Sequence, residues 1–418
     1  MNILWTNHGL ARPGGTEIVT RDCVTELTRR GHRVEVLTSR PGVIADELRG
    51  HGVVIHESPA TLGTGFDLIH GQHYLETTVA LAALPGVPAL FFCHGNPDRG
   101  WIEQPAIHPR CLRLITNCDN LAHHLARTLP MPREDIGVIG NGYDPARFPT
   151  VRPAPDRLRR GLFFHNTLTR QSPEWQVAEA ACQRCGIELE AVGSGFGNPV
   201  PDPERVLPGY DLVFAFGRSA LESIVSGCAV VLIGLQRSAG LVGIDDLDAL
   251  ERSNFTRGRR ILEVTPEVIG ADLQAWQPEP AAALTHALRE TCTVEVMVGL
   301  LEDEYRGLLA RRGELLAADP AAEARATALH LHRAWCHLAD SATAAGSAAR
   351  AAQRATERRV LAEQQLAHAR QRLKVVEKVL QRGWFRRPAR RAVERHWRQL
   401  EQARAERERA HDDAEADA

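Results

Sequence analysis

Gly217–Arg218–Ser219–Ala220–Leu221–Glu222 is the stretch whose residue types carry the most chemistry. It follows the apolar run Leu212–Phe216 and opens a helical pattern that ends near Gly227. Gly217 permits close backbone approach, and the N–H groups of Arg218, Ser219 and Ala220 point out of the helix start, where negative charge is favoured. Arg218 adds a cation that keeps its proton. Together these residues read as a diphosphate cradle. Glu222, one turn in, can accept both hydroxyls of a ribose. The same spacing also fits a Ser219 N-cap with Glu222 at N3, a capping box with no ligand.

Weaker candidates surround it. Gly14–Gly15 follows the first apolar strand and precedes a helix, so backbone and helix N-terminus could meet a phosphate or simply turn the chain. The segment lacks a full G-x-G-x-x-G, which argues against a nicotinamide enzyme. His94 follows the apolar strand Ala89–Cys93, where an imidazole can bond a sugar hydroxyl or stabilise developing charge. Asn141–Gly142–Tyr143–Asp144 reads as a tight turn at a domain boundary. Asp246-x-Asp248 matches a short metal motif that short chance matches also produce, and Cys182-x-x-Cys185 reads as inert thiols on a helix rather than a zinc site. No metal ligand set is expected.

Short apolar strands alternate with helical periodicity from Asn2 to Gly140, the pattern of a parallel, doubly wound sheet. The Pro-rich stretch Pro149–Pro155 interrupts it. A second series then runs Gly161–His165, Pro173–Cys185, Glu188–Val192, Leu212–Phe216, Ser219–Ser226 and Ala229–Ile233. The expectation is an α/β fold of two facing Rossmann-like domains, residues 1–148 and 158–335 with a linker at 149–157, and a cleft at the carboxyl ends of the strands. Val294–Leu309 has helical spacing and is expected to close the second domain. Residues 342–418 are rich in Ala, Arg, Glu and Gln, and Leu361, Leu366, Leu373, Val376 and Leu380 fit a helical coiled-coil extension. Gly383–Pro388 breaks it. In 381–398 seven Arg and one Glu alternate with Trp384, Phe385 and Trp397, which fits either an anionic membrane surface or a solvated helical face.

Composition narrows the function classes. A length of 418 residues suits two or three domains, and 44% apolar with 24% charged residues is globular. A net charge of −2 provides no basic field for nucleic acid. The apolar runs are far shorter than the ~20 residues that span a bilayer, and the N-terminus does not read as a signal peptide. Nine cysteines, an odd number at irregular spacing, suit free thiols in a reducing compartment. Lys374 and Lys378 are the only lysines, so earlier basic contacts must come from Arg or His.

Taken in order, Gly14–Gly15, His94, the Asn141–Asp144 turn followed by Phe148, and Glu222–Val231 resemble the retaining glycosyltransferases of the two-Rossmann-domain (GT-B) fold. The nearest group is the large one that includes bacterial sucrose-synthase-like and mannosyltransferase-like enzymes. The resemblance covers roughly residues 1–310. Its most specific part is Glu222–Val231, similar to the pattern E-A-M-A-x-G-x-P-V-V, with Ala229 where the family has Pro. The resemblance implies that Gly14 and Gly15 approach the donor or acceptor, His94 contacts the transferred sugar, Glu222 holds the donor ribose, and Gly217, Arg218 and Ser219 flank the diphosphate. Three further positions depart from the pattern. Phe214 stands where the family has a sugar-contacting Glu, and His165 and Arg170 stand where it has a phosphate-binding Arg and Lys. Arg218 could replace the missing cation.

The resulting expectation is a retaining, metal-independent glycosyltransferase without a resident cofactor. It would move a sugar from a nucleotide-diphosphate sugar to a glycan or lipid-linked glycan acceptor. The alternatives are a nucleotide-sugar epimerase of the same fold and a non-catalytic scaffold. The expected setting is cytoplasmic, with peripheral contact to the inner membrane face through 381–398 and homo-oligomerisation through 342–418.

Overall fold

The computed structural model describes residues 1–95, 104–105, 108–129, 131–234, 236–315 and 319–381. It divides into two compact units, Met1–Ala334 and Trp335–Ala418.

The first unit holds both sheets. Its N-terminal part runs β1 (Asn2–Thr6), α1 (Gly15–Arg29), β2 (Arg33–Leu37), α2 (Val43–Gly50), β3 (Val54–His56), β4 (Leu68–Gly71), α3 (Tyr74–Ala83), β5 (Ala89–Cys93), β6 (Cys111–Thr116), α4 (Asp119–Thr128) and β7 (Ile136–Val138). All seven strands are parallel, in the order β3-β2-β1-β4-β5-β6-β7. The chain reverses its direction of travel across the sheet between β1 and β4. In such sheets the loops after the two strands at this reversal open a crevice.

The second sheet follows the linker. It comprises β8 (Arg160–Phe164), α5 (Pro173–Cys185), β9 (Glu188–Val192), α6 (Pro203–Val206), β10 (Leu212–Ala215), α7 (Arg218–Val225), β11 (Ala229–Gly234) and β12 (Arg237–Leu241). The strand order is β12-β11-β10-β8-β9, with only β12 antiparallel. Its reversal lies between β8 and β10. β10 and β11 are buried along their whole length, which explains their unbroken apolar sequence: helices cover both faces of a parallel sheet. Leu221, Ile224 and Val225 bury one face of α7 against the core, each contributing about 1.5–3 kcal/mol.

Helices α8 (Leu247–Ser253), α9 (Pro266–Gln274), α10 (Pro278–Thr291), α11 (Val294–Ala310), α12 (Arg312–Leu315) and α13 (Pro320–Gln381) complete the chain. The position of α11 corrects the sequence expectation. Val294, Met297, Val298, Leu301, Tyr305 and Leu308 join the core of the first sheet beside Val19, Cys23 and Leu27, and the Tyr305 hydroxyl bonds His70 Nδ1 at 2.7 Å. The turn at Asn141–Asp144 makes this crossing possible. Tyr143 N–H donates to Cys292 O, and Val294 N–H donates to Tyr143 O. A Cβ at Gly142 would lie 2.5 Å from Thr293 O, so only glycine fits there.

In the second unit the described part is the continuation of α13 from Trp335 to Gln381, with Trp335 and Leu338 exposed. The Gly383–Pro388 break and nearly all of the basic–aromatic segment 381–398 lie outside the described residues. Among the described residues, no helix is long and apolar enough to cross a membrane.

Candidate functional site

One cavity of about 250 Å³ opens at the β8/β10 reversal of the second sheet and at the loop after β1 of the first. Its wall takes Gly14, Gly15, Ile18 and Arg21 from the start of α1, and Phe164 to Thr167 from the loop after β8. Val200, Pro201, Pro203 and Glu204 come from the segment after β9. Phe216, Arg218, Ser219 and Glu222 come from the start of α7, with Arg147 and Phe148 from the linker side. Of the residues singled out in the sequence, Gly14, Gly15, His165, Arg218, Ser219 and Glu222 therefore line one space. Gly217 stands directly before them as the N-cap of α7. His94 and Arg170 do not line it.

Two helix N-termini face the cavity. α1 begins after Gly14 with no side-chain cap, and α7 begins after Gly217 with none. Gly217 has φ 63°, a conformation that costs other residues about 1–2 kcal/mol. The capping-box reading of Ser219 and Glu222 does not hold. Ser219 is already inside the helix, and its hydroxyl donates to Phe216 O at 3.0 Å. Glu222 pairs with Arg218 instead.

Arg218 is also not the unpaired cation expected from the sequence. Its Nε donates to Glu222 Oε1 at 2.8 Å and its Nη2 to Asp22 Oδ2 at 2.6 Å. Asp22 also accepts from Arg21 Nε and Nη2 at 2.8 and 2.7 Å. The result is a buried chain, Arg21–Asp22–Arg218–Glu222, that joins α1 of the first sheet to α7 of the second. Burial still raises the Glu222 carboxyl, the neighbouring Arg218 opposing it. The third cavity arginine, Arg147, donates to Glu204 Oε1 at 2.7 Å. Each arginine on the wall thus has a carboxylate partner. The favourable potential left for an anion comes from the two helix starts.

His165 is neutral in this setting. Its Nε2 donates to Ile233 O at 3.0 Å, its ring packs 5.0 Å from Phe163, and burial lowers its pKa. It contributes an Nδ1 acceptor rather than a charge. Arg170 is exposed and lies over the Trp175 ring at 5.1 Å, a cation–π contact outside the cavity. Phe214 is fully buried within β10 and stacks 6.1 Å from Phe163, so its position belongs to the core.

His94 directly follows β5, in a polar network of the first sheet. Gln72 Oε1 accepts from Asn7 Nδ2 and Thr20 Oγ1 at 3.1 and 2.9 Å, which turns the Gln72 amide nitrogen toward His94 Nε2 at 2.8 Å. An amide nitrogen only donates, so His94 Nε2 is an acceptor and the imidazole is neutral. Burial pushes its pKa down to about 3. The ring stacks on Phe92 at 4.0 Å, and Asn117 Nδ2 donates to the His94 carbonyl.

The weaker motifs resolve as structure. Asp246 accepts from the backbone N–H of Gly243 and Arg259, while Asp248 is exposed. Cys182 and Cys185 are free thiols, and burial pushes Cys182 up to about 12. The sequence reading missed Asp22, Arg21, Arg147 and Glu204. The first two sit in an ordinary amphipathic helix, and Glu204 sits in a stretch without periodicity.

Residues 13–147 match the family described as Glycosyltransferase Family 4. A glycosyltransferase from Rickettsia africae ESF-5 has a similar structure, with a TM-score of 0.53 and 12% identity over 74% of this chain and 98% of that one. Anabaena Alr3699/HepE, solved in complex with UDP-glucose, gives 0.54 and 15% identity over 73% of this chain and 100% of that one. No curated protein matches the sequence. The chain thus has the GT-B fold over about three-quarters of its length, and its sequence likeness to the family 4 glycosyltransferases lies in the first sheet, over residues 13–147.

Proposed function

We propose that the protein is a retaining, metal-independent glycosyltransferase that moves a sugar from a nucleotide-diphosphate sugar to a glycan or lipid-linked glycan. One observation carries this reading: a single cavity brings the N-termini of α1 and α7 together with the Glu222 carboxylate. Backbone N–H groups at Gly15 and at Arg218–Ser219 would stabilise the diphosphate as charge develops on it. That is the work a metal would otherwise do, and no resident cofactor is required. Glu222 would hold the donor ribose. Alr3699/HepE, of similar fold, binds UDP-glucose. Exposed Trp335 and Leu338 on α13, with Leu366, Leu373 and Leu380 seven residues apart, support self-association through the helix.

The arginine pairing favours one second reading, a GT-B scaffold that binds without turnover: no arginine on the wall is left for the diphosphate. Mass spectrometry on a panel of nucleotide sugars separates the two. The transferase releases nucleoside diphosphate, and Glu222→Ala abolishes the release. A wild-type protein that releases none from any donor, with acceptor glycans supplied, contradicts the transferase reading.

A further inference from the structure

Glu204 is the cavity carboxylate that nothing so far uses. Its Oε1 is held by Arg147 Nε and Nη2 at 3.1 and 2.7 Å. Its Oε2 is buried and has no hydrogen-bond partner. Two carboxylates line the cavity, Glu204 and Glu222, and only Glu204 has such an oxygen. A buried acceptor left unpaired costs about 1–3 kcal/mol, more for a charged group, so the position asks for a donor from whatever fills the space. Burial raises the Glu204 carboxyl; its own backbone N–H opposes the rise, with smaller contributions upward from Asp202 and downward from Arg21 and Arg205. The geometry also excludes one occupant. A phosphate beside Glu204 would set anion against anion, whereas the helix starts of α1 and α7 on the same wall attract it. The segment that carries Glu204 presents Val200, Pro201 and Pro203, apolar groups suited to the flat face of a ring.

We infer that Glu204 Oε2 accepts a hydrogen bond from a hydroxyl of the bound nucleotide sugar, on either its ribose or its transferred sugar. Glu204 is then a specificity-determining residue of the donor site, held in place by Arg147. This rests on the proposed nucleotide-sugar reading and extends it to a residue outside the family pattern. A carboxylate fixed at one oxygen and free at the other rejects a donor that lacks the matching hydroxyl, because the free oxygen would then stay unpaired.

Calorimetry on the full chain tests it with three probes. The first is whichever of UDP-glucose, UDP-N-acetylglucosamine and GDP-mannose the wild type binds best. The second is its nucleoside diphosphate, and the third is pyrophosphate, which has no hydroxyl. Glu204→Gln keeps an oxygen for Arg147 and is expected to weaken the nucleotide sugar about tenfold while pyrophosphate stays within twofold. Loss confined to the nucleotide sugar assigns the contact to the transferred sugar, and equal loss on the nucleoside diphosphate assigns it to the ribose. Glu204→Ala, checked for an unchanged thermal transition, should repeat the pattern. Unchanged binding of the first two probes, or equal loss on all three, overturns the inference. A wild type that binds no nucleotide sugar overturns the proposed function, and this inference with it.

Discussion

Arg218 of α7 donates to Asp22 of α1, Nη2 to Oδ2 at 2.6 Å, while its Nε stays on Glu222 in its own helix. The guanidinium that the sequence offers to a diphosphate is thus shared between two carboxylates, one from each sheet. An incoming diphosphate competes with Asp22 for it.

Asp22→Asn should therefore tighten nucleoside diphosphate binding. Removing one negative charge near the anion is worth about 1–2 kcal/mol at an effective dielectric near 20, or roughly tenfold or more in affinity. The same change should lower the thermal midpoint, since breaking a buried pair leaves Arg21 and Arg218 less compensated. Isothermal titration and a melting curve read both effects. Unchanged affinity would mean that Arg218 is purely structural.

His94→Gln gives a pH signature. The folded pKa of His94 is about 3, and its unfolded value is about 6.5. A depressed imidazole pKa means that the unfolded chain binds a proton which the folded chain refuses. Wild-type stability should therefore fall as pH drops below about 6.5, and this contribution levels off near 3. Between those limits one such proton corresponds to about 1.4 kcal/mol per pH unit. Urea unfolding at pH 7, 6 and 5 should show a shallower dependence for His94→Gln. Parallel curves would show that the imidazole is not held neutral.

Phe214→Glu would restore the residue type that the resemblance places there, yet it should not restore a sugar contact. The side chain is fully buried against Phe163. A carboxylate there loses packing and has no cation, a loss of about 4 kcal/mol or more. Soluble yield and thermal midpoint should collapse. A stable variant with improved donor binding would show that the position faces the cavity.

Leu373→Asp with Leu380→Asp, made in the full chain, should shift the light-scattering mass from oligomer to monomer if α13 self-associates through its heptad positions. An unchanged mass assigns assembly to another surface.

Much of the fold was readable because apolar strands here end at glycine or polar turns. Ala89–Cys93, Glu188–Val192 and helix Pro173–Cys185 stand where their patterns put them. β12 was not readable: Arg237–Leu241 is short, antiparallel and kinked at Gly240, φ 73°, so it carries no strand signature. The crossing of α11 was hidden for another reason. An amphipathic helix encodes that it has an apolar face, not which sheet receives it. At the site, Glu222, Ser219 and the Gly14–Gly15 pair were legible because a strand end followed by glycine and a helix start is a local pattern. Asp22 and Glu204 acquire meaning only from what lies across the cavity. Arg170 was not legible either: its guanidinium lies over the Trp175 ring rather than turning into the cavity.

The most direct measurement is a crystal structure with the bound nucleoside diphosphate of whichever nucleotide sugar the protein accepts. The diphosphate should rest on the backbone N–H groups at Arg218 and Ser219, with the ribose hydroxyls on Glu222 and Arg218 drawn away from Asp22. A nucleotide bound outside this cavity, or one whose phosphates avoid both helix starts, would contradict a donor site at this position.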